Sequence, residues 1–186
     1  SRQHKMWIED MKETIEQLKK DLDFEAEVPI IDPRSDEFRE MRTRYALKLW
    51  ESRKRKGETK YSARVNMGKR NYFGAMMLLE GDADGMISGY SRSYPRVLRP
   101  VFEVLGRAKD VKNASTVNIM ITARGPLFLA DTSINIDPDA EQLAEIAQMT
   151  ANVAKTFGFD PVVAMLSYAN FGSPAHPHPQ KVRLPR

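Results

Sequence analysis

The chain has 186 residues, enough for one large domain or two small lobes, and its 41% hydrophobic and 29% charged residues are typical of a folded protein. Its 29 Lys and Arg against 25 Asp and Glu give a net charge of +4, which suits a small anionic ligand and is too weak to indicate nucleic-acid binding. The sequence has no cysteine, which excludes disulfides, thiolate zinc sites and a cysteine nucleophile and agrees with a cytoplasmic location. No stretch approaches the length of a membrane span.

The first part of the chain has a mainly helical pattern. Apolar residues recur at helical spacing over 6–22 and again over 35–55, and both stretches predict amphipathic helices. Between them, the short apolar run 27–33 ends at a proline and predicts a strand. A third helix is predicted over 62–80, closed by Gly81.

The next stretch leads into an arginine-rich segment. Residues 83–89 form an apolar run between glycines and predict a short buried strand. The segment "SGYSRSYPRVLRP" follows at 88–100, and a helix is predicted from it to about Leu105. Residues 106–113 are polar, and we place the boundary between two lobes there.

Beyond this break, strand and helix patterns alternate. Two β-rich runs over 115–134 are separated by Arg-Gly, which predicts a hairpin. A long helix then begins with Asp137 as its cap and Pro138 at its first position, and it ends at Gly158. The apolar run 161–169 predicts a buried strand, and the alternation as a whole predicts an α/β fold.

Two groups of polar residues are candidates for ligand contacts. Arg96 and Arg99 lie on one face of the predicted helix, where they could converge on one phosphate or carboxylate or form a solvated face. Asp131 and Asn135 lie at the end of a predicted strand, and ligands bind beyond strand ends in open α/β sheets. For Asp131 a ligand role and a structural role are both open, Asn135 could simply form a turn, and Asp137 is interpreted as a helix cap.

The histidines do not predict a catalytic or metal site. His4, His176 and His178 lie near the ends of the chain, so no Ser-His-Asp set is expected. "HPHP" at 176–179 could imitate a metal pair, but the prolines favour extended backbone and no third ligand is near. A flexible tail over 174–186 is therefore the preferred interpretation, and no metal site is predicted.

Three stretches together resemble one family. They are "YFGAMMLLEGDADGMISG" (72–89), "FLADTSINIDPDAEQLAEIA" (128–147) and "FGFDPVVAMLSYANFGS" (157–173). In order and spacing they are similar to the phosphate acetyltransferase fold, over roughly residues 27–173. The resemblance implies a three-layer α/β/α architecture in two lobes, with the coenzyme A and phosphate site in the cleft between them. It also implies acetyl transfer between acetyl phosphate and coenzyme A.

The arginine-rich segment departs from the pattern S-G-A-x-H-x-T-x-D-T-V-R-P that is usual in such acetyltransferases. The positions that match are Ser88, Gly89, Arg99 and Pro100. The residues that replace the histidine, the threonines and the aspartate are Arg92, Tyr94, Val97 and Arg96. With "ITARGPLFLADT" (121–132) and "SYANFGS" (167–173), these substitutions resemble the acetyltransferase-like carboxy-terminal domain of multidomain NADP-dependent malic enzymes.

The resemblance to malic enzymes implies a regulatory role. That domain is thought to support oligomer assembly and to bind acetyl-coenzyme A. Malate decarboxylation, with NADP and Mg or Mn, belongs to amino-terminal domains, so no cofactor is expected in this chain. The alternative is a fragment of an active phosphate acetyltransferase.

We therefore expect parts of two lobes, at 1–106 and 107–173, truncated at both ends and taken from a homo-oligomeric parent that binds neither nucleic acid nor membrane. No catalytic residue is assigned. The residues expected to line the cleft for acetyl-coenzyme A or phosphate are Arg99, Arg96, Ser88, Gly89, Asp131 and Asn135.

Overall fold

The computed structural model describes residues 13–24, 29–89, 92–109, 111–169 and 176–183. The chain divides into two compact units, Ser1–Gly106 and Arg107–Arg186. Each unit has its own secondary-structure elements and its own buried residues.

The described residues of unit 1 form helices and connecting loops. Residues 13–21 are helical. The elements that follow are α1 (Arg39–Arg53), a 3-10 turn (Lys54–Lys56), α2 (Lys60–Met67), α3 (Arg70–Glu80) and α4 (Tyr94–Val104).

The helix predicted over 62–80 is two helices, because Lys69 has extended backbone dihedrals between α2 and α3. Thr59 caps α2 through a capping box with Ser62, in which each side chain accepts from the other residue's backbone N–H. The predicted end of α3 is confirmed, since Gly81 adopts a φ of 77° that L-residues with a side chain rarely tolerate.

Among the described residues of unit 1, a hydrophobic core lies where α1, α2 and α3 pack together. Its buried residues are Tyr45, Ala46, Leu49, Ala63, Met67, Tyr72, Phe73 and Met76. The ring of Phe73 lies 5.2 Å from that of Tyr45 and 6.4 Å from that of Phe38, between centroids. The hydroxyl of Tyr45 donates to Asp82, which fastens the loop after α3 to α1.

Two strands predicted in unit 1 are wrong for the residues that the structure describes. Residues 29–32 and 83–89 have no strand geometry, and Ile87 is fully exposed rather than buried. A strand is stable only when its N–H and C=O groups pair with a neighbouring strand, and none pairs with these residues. Residues 27 and 28 lie outside the described residues.

Unit 2 contains the predicted hairpin. Its elements are β1 (Val117–Thr122), β2 (Gly125–Ala130), α5 (Ala140–Thr156) and α6 (Pro177–Arg183). The antiparallel register runs from Val117 opposite Ala130 to Thr122 opposite Gly125, so a two-residue turn connects the strands. Gly125 has a φ of 116°, which only glycine adopts readily.

The long helix begins two residues later than predicted. Asp139, not Asp137, is the N-cap, because its side chain accepts from the backbone N–H of Gln142 while the Gln142 side chain accepts from the backbone of Asp139. Asp137 accepts instead from Lys181 of α6. Phe128 of β2 packs near Phe157 after α5, with 6.0 Å between the ring centroids.

Two further predictions in unit 2 differ from the structure. The strand predicted over 161–169 is wrong, since these residues are irregular and Val162 is 98% exposed. Residues 177–183 are helical, although the prolines of 176–179 favour extended backbone in the sequence, and residues 170–175 lie outside the described residues. In the part of the chain that the structure describes, every helix is too short or too polar to cross a membrane.

Candidate functional site

Ser88 and Gly89 lie in the loop that leads from α3 to α4, and contacts of Met86 and Ser88 join this part of the loop to α3. Met86 packs on α3 at Gly74, where an added Cβ would come within 3.2 Å of the Met86 sulfur. The Ser88 hydroxyl donates to Oδ1 of Asn71 at 2.9 Å. Gly89 has a φ of 123°, so the backbone bends there in a way that favours glycine.

Asn71 also reaches α4, and sequence reasoning missed it. Its Nδ2 donates to the backbone oxygen of Arg96 at 3.4 Å. One side chain on α3 therefore connects the Ser88 loop to the first turn of the next helix. Asn71 and Ser88 are separated by 17 residues, and neither helical nor strand periodicity relates them. Tyr90 and Ser91 lie outside the described residues.

Arg96 and Arg99 both lie on α4 and are exposed. Pro95 lies in the first turn of this helix, where backbone N–H groups have no partner within the helix, so the N–H that proline lacks costs no hydrogen bond. The side chain of Arg99 is 75% exposed, yet it is not free, because its Nε donates to Oε1 of Glu103 at 2.8 Å. Glu103 is not among the residues predicted from the sequence, although its spacing of four residues from Arg99 on a helix is the signal that could have found it.

Glu103 receives further contacts from two other helices. Its second carboxylate oxygen, Oε2, accepts from the hydroxyl of Tyr72 on α3. Nη2 of Arg53 on α1 lies 3.6 Å from Oε1, and Nη1 of Arg53 donates to the Glu103 backbone oxygen at 3.4 Å. The carboxylate is thus shared among α1, α3 and α4, and its side chain is only 15% exposed.

The charges around Glu103 keep it ionised. Burial raises the pKa of Glu103, but the hydrogen bonds from Tyr72 and Arg99 and the charges of Arg99 and Arg53 outweigh burial, so this pKa lies below its usual value. Burial and the bond to the Glu103 carboxylate raise the pKa of Tyr72 to about 12. The hydrogen bond to Glu103 raises the pKa of Arg99, which stays cationic.

In unit 2, Asp131 and Asn135 form a second group. One oxygen of Asp131, Oδ2, accepts from both the backbone N–H and the Nδ2 of Asn135. The other, Oδ1, accepts from the hydroxyl and backbone N–H of Thr116 and from the backbone N–H groups of Ser133 and Ile134. The carboxylate therefore organises the loop after β2 and joins it to the residue before β1.

These hydrogen bonds decide what Asp131 can do chemically. Burial raises its pKa, but the donors from Thr116, Ser133 and Asn135 outweigh burial and hold the pKa of Asp131 well below its ordinary range. A general base works best with a pKa near the working pH and with an oxygen free to reach the proton. Asp131 meets neither condition in this arrangement, which is that of a structural carboxylate.

The predicted site residues thus form two groups that belong to different units. In unit 1, Asn71 joins Ser88 to the backbone of Arg96, and Arg99 lies on the same helix as Arg96. In unit 2, Asp131 and Asn135 contact each other directly. Among the described residues, no three His, Asp or Glu side chains are grouped so that they could hold a metal ion.

Comparison with known proteins identifies one family for nearly the whole chain. The model of the phosphate acetyl/butaryl transferase family matches residues 6–184. A phosphate acetyltransferase from Thermoanaerobacterium thermosaccharolyticum is 40% identical over 162 residues, which are 83% of this chain and 48% of that protein. An NADP-dependent malic enzyme from Escherichia coli is 38% identical over 168 residues, which are 90% of this chain and 21% of that protein.

The fold is similar to that of solved phosphotransacetylases. The EutD phosphotransacetylase from Staphylococcus aureus superposes with a TM-score of 0.74 at 31% identity, covering 92% of this chain and 51% of that one. This match confirms the predicted α/β, phosphate acetyltransferase-like fold. The chain spans about half of that structure and about half or less of the two relatives named above. The chain therefore belongs to the phosphate acetyl/butaryl transferase family.

Proposed function

We propose that this chain is the acetyltransferase-like part of a multidomain NADP-dependent malic enzyme, in which it binds acetyl-coenzyme A as a regulatory ligand and supports assembly. The segment 88–100 is the observation that carries the proposal. It keeps Ser88, Gly89 and Arg99 of the acetyltransferase pattern, while arginine, tyrosine and valine replace the other polar positions of that pattern.

Overall sequence identity does not separate the two relatives, so the proposal depends on individual residues. Identity is 40% to a phosphate acetyltransferase and 38% to a malic enzyme, over similar lengths. At position 96 the acetyltransferase pattern has an aspartate and this chain has an arginine. The exchange of an acid for a base one helical turn before Arg99 favours an anionic ligand, and coenzyme A carries several phosphate oxygens for guanidinium groups to bind.

The alternative is a part of an active phosphate acetyltransferase, which the retained Arg99 and the 40% identity favour. Acetyl transfer to coenzyme A requires a base that removes the thiol proton. Asp131 is the carboxylate at a strand end that the sequence offers as a candidate site residue. Its oxygens accept hydrogen bonds within unit 2 and are not free to act as that base. This arrangement supports binding better than catalysis.

NADP and a divalent metal, Mg or Mn, belong in this proposal to the amino-terminal domains of the parent protein. The described residues of this chain offer no grouped metal ligands, and the sequence has no glycine-rich dinucleotide motif. A homo-oligomeric parent and a cytoplasmic location are parts of the same proposal.

The full-length parent protein tests the proposal in two assays. We expect malate-dependent NADPH formation to change with the concentration of acetyl-coenzyme A, and we expect no coenzyme A-dependent turnover of acetyl phosphate. Malic activity that ignores acetyl-coenzyme A would overturn the regulatory role. Rapid acetyl phosphate turnover would instead establish the alternative.

A further inference from the structure

We propose that Glu103 is a positioning residue, which holds Arg99 by Nε so that the outer nitrogens of its guanidinium group are presented to an anionic ligand. This inference rests on the proposed function, because it needs a ligand that Arg99 binds. It assigns a role to a residue outside the acetyltransferase pattern that covers 88–100.

The contact with Glu103 is made by one particular nitrogen of Arg99. Its hydrogen bond to Glu103 comes from Nε, the innermost nitrogen of the guanidinium group. Bidentate recognition of phosphate or carboxylate uses two parallel N–H bonds of the guanidinium fork, and the outer edge formed by Nη1 and Nη2 is one such pair. With 75% of its side chain exposed, Arg99 remains accessible to a ligand while it is held at its base.

The Glu103 carboxylate is held in place by residues other than Arg99. An ordinary surface pair at i,i+4 contributes little, because two long side chains must be ordered to form it. Here the carboxylate is already ordered by Tyr72 of α3 and Arg53 of α1, so Arg99 loses less entropy on binding than a free arginine would. Pre-organisation of this kind improves affinity without adding a contact to the ligand.

Arg99, Glu103 and Arg53 form a charged cluster. Glu103 contributes one negative charge against the two positive charges of Arg99 and Arg53. The cluster keeps a net positive charge, and Glu103 therefore orders Arg99 without cancelling its attraction for an anion.

A double-mutant cycle in the full-length parent protein tests the proposal, with acetyl-coenzyme A as the probe and calorimetry as the measurement. The variants are Arg99→Gln, Glu103→Gln and the two together. We expect Arg99→Gln to weaken binding at least about tenfold and Glu103→Gln about fivefold. In the Arg99→Gln background we expect Glu103→Gln to have almost no further effect, because its action passes through Arg99.

A second variant keeps the test valid if Glu103→Gln fails to fold. Tyr72→Phe removes one bond to Glu103 and leaves the ion pair with Arg99 intact, and we expect it to weaken binding about twofold in the wild-type background alone. Glu80→Gln is the matched control, since Glu80 is another glutamate of low exposure that joins two helices of unit 1, through Lys48. It should leave the affinity unchanged.

The outcomes separate the two proposals. A parent protein that does not bind acetyl-coenzyme A overturns the proposed function and, with it, this inference. If the parent binds and Arg99→Gln weakens binding, but Glu103→Gln binds like wild type or its effect adds fully to that of Arg99→Gln, only the positioning role of Glu103 is overturned.

Discussion

Asn135 donates two hydrogen bonds to the same carboxylate oxygen of Asp131, one from its backbone N–H and one from its Nδ2, each at 2.6 Å. The amide also donates to the backbone oxygen of Ala114 at 2.9 Å. The two residues that sequence analysis assigns to a ligand cleft thus satisfy each other and connect the loop after β2 to the segment before β1. Their first role is to hold unit 2 together.

Asp131→Asn tests this structural role. The substitution removes a charge that accepts several hydrogen bonds and places an NH2 group opposite N–H donors. Because hydrogen bonds to charged groups contribute more than neutral ones, we expect the free energy of unfolding to fall by about 3 kcal/mol. Urea denaturation followed by circular dichroism measures this loss.

Asp139→Asn is the control for that experiment. It makes the same chemical change at the N-cap of α5, and asparagine caps helices about as well as aspartate. We expect it to change the unfolding free energy by less than about 0.5 kcal/mol. Equal losses in the two variants would contradict a special role for Asp131.

The low pKa of Asp131 predicts an acid dependence of stability. A carboxylate whose pKa is lower in the folded than in the unfolded state contributes its full stabilisation above its unfolded pKa, about 3.9 for aspartate, and loses it as the pH falls further. We therefore expect the stability difference between wild type and Asp131→Asn to be constant near neutrality and to shrink below about pH 4. Urea midpoints measured from pH 7 to pH 2.5 check this, and a difference that grows in acid would argue against it.

Tyr45 and Tyr72 predict an alkaline dependence with the opposite sign. Burial and hydrogen bonds to Asp82 and Glu103 raise the pKa of each hydroxyl to about 12. A raised folded-state pKa gives stability that is complete below the unfolded value, about 10, and is lost as the pH rises towards 12. Tyr45→Phe and Tyr72→Phe should each reduce this loss, as measured by chemical denaturation between pH 9 and pH 12. A variant with the same alkaline decline as wild type would refute the assignment for that tyrosine.

Asn71→Ala tests the connection between the Ser88 loop and α4. It removes both the acceptor for Ser88 and the donor to the Arg96 backbone. We expect acetyl-coenzyme A binding to the parent protein to weaken about threefold, because the loop and helix are no longer held together. Asn152→Ala, an exposed substitution on α5, is the matched control and should bind normally. Unchanged affinity in Asn71→Ala would show that Ser88 and Arg96 do not depend on this link.

The parts of the fold that local chemistry determines are the parts that the sequence predicts. The turn at Gly125 and the end of α3 at Gly81 each depend on the preferences of nearby residues. The predicted cap of α5 is wrong by two residues. Asp137 and Asp139 are both acceptable caps, and Gln142, three residues after Asp139, forms the capping box that selects Asp139.

The parts that depend on distant partners are the parts that the sequence does not predict. Apolar runs at 83–89 and 161–169 have the composition of strands, but strand formation requires a pairing neighbour that composition does not reveal. The same is true of the site. Arg99 is visible in the sequence as a candidate, whereas its connection through Glu103 to Tyr72 and Arg53 spans 31 and 50 residues and appears only in the folded chain.

The separation of Arg53 and Glu103 has a consequence for how the protein is made. Closing a contact across 50 residues requires ordering a long intervening chain, whereas the hairpin and the individual helices close over short distances. On the ribosome, α1 leaves the exit tunnel well before Glu103 does. Arg53 therefore has no Glu103 carboxylate to contact while α2 and α3 pack. We therefore expect the support beneath Arg99 to be among the last features of unit 1 to form during synthesis.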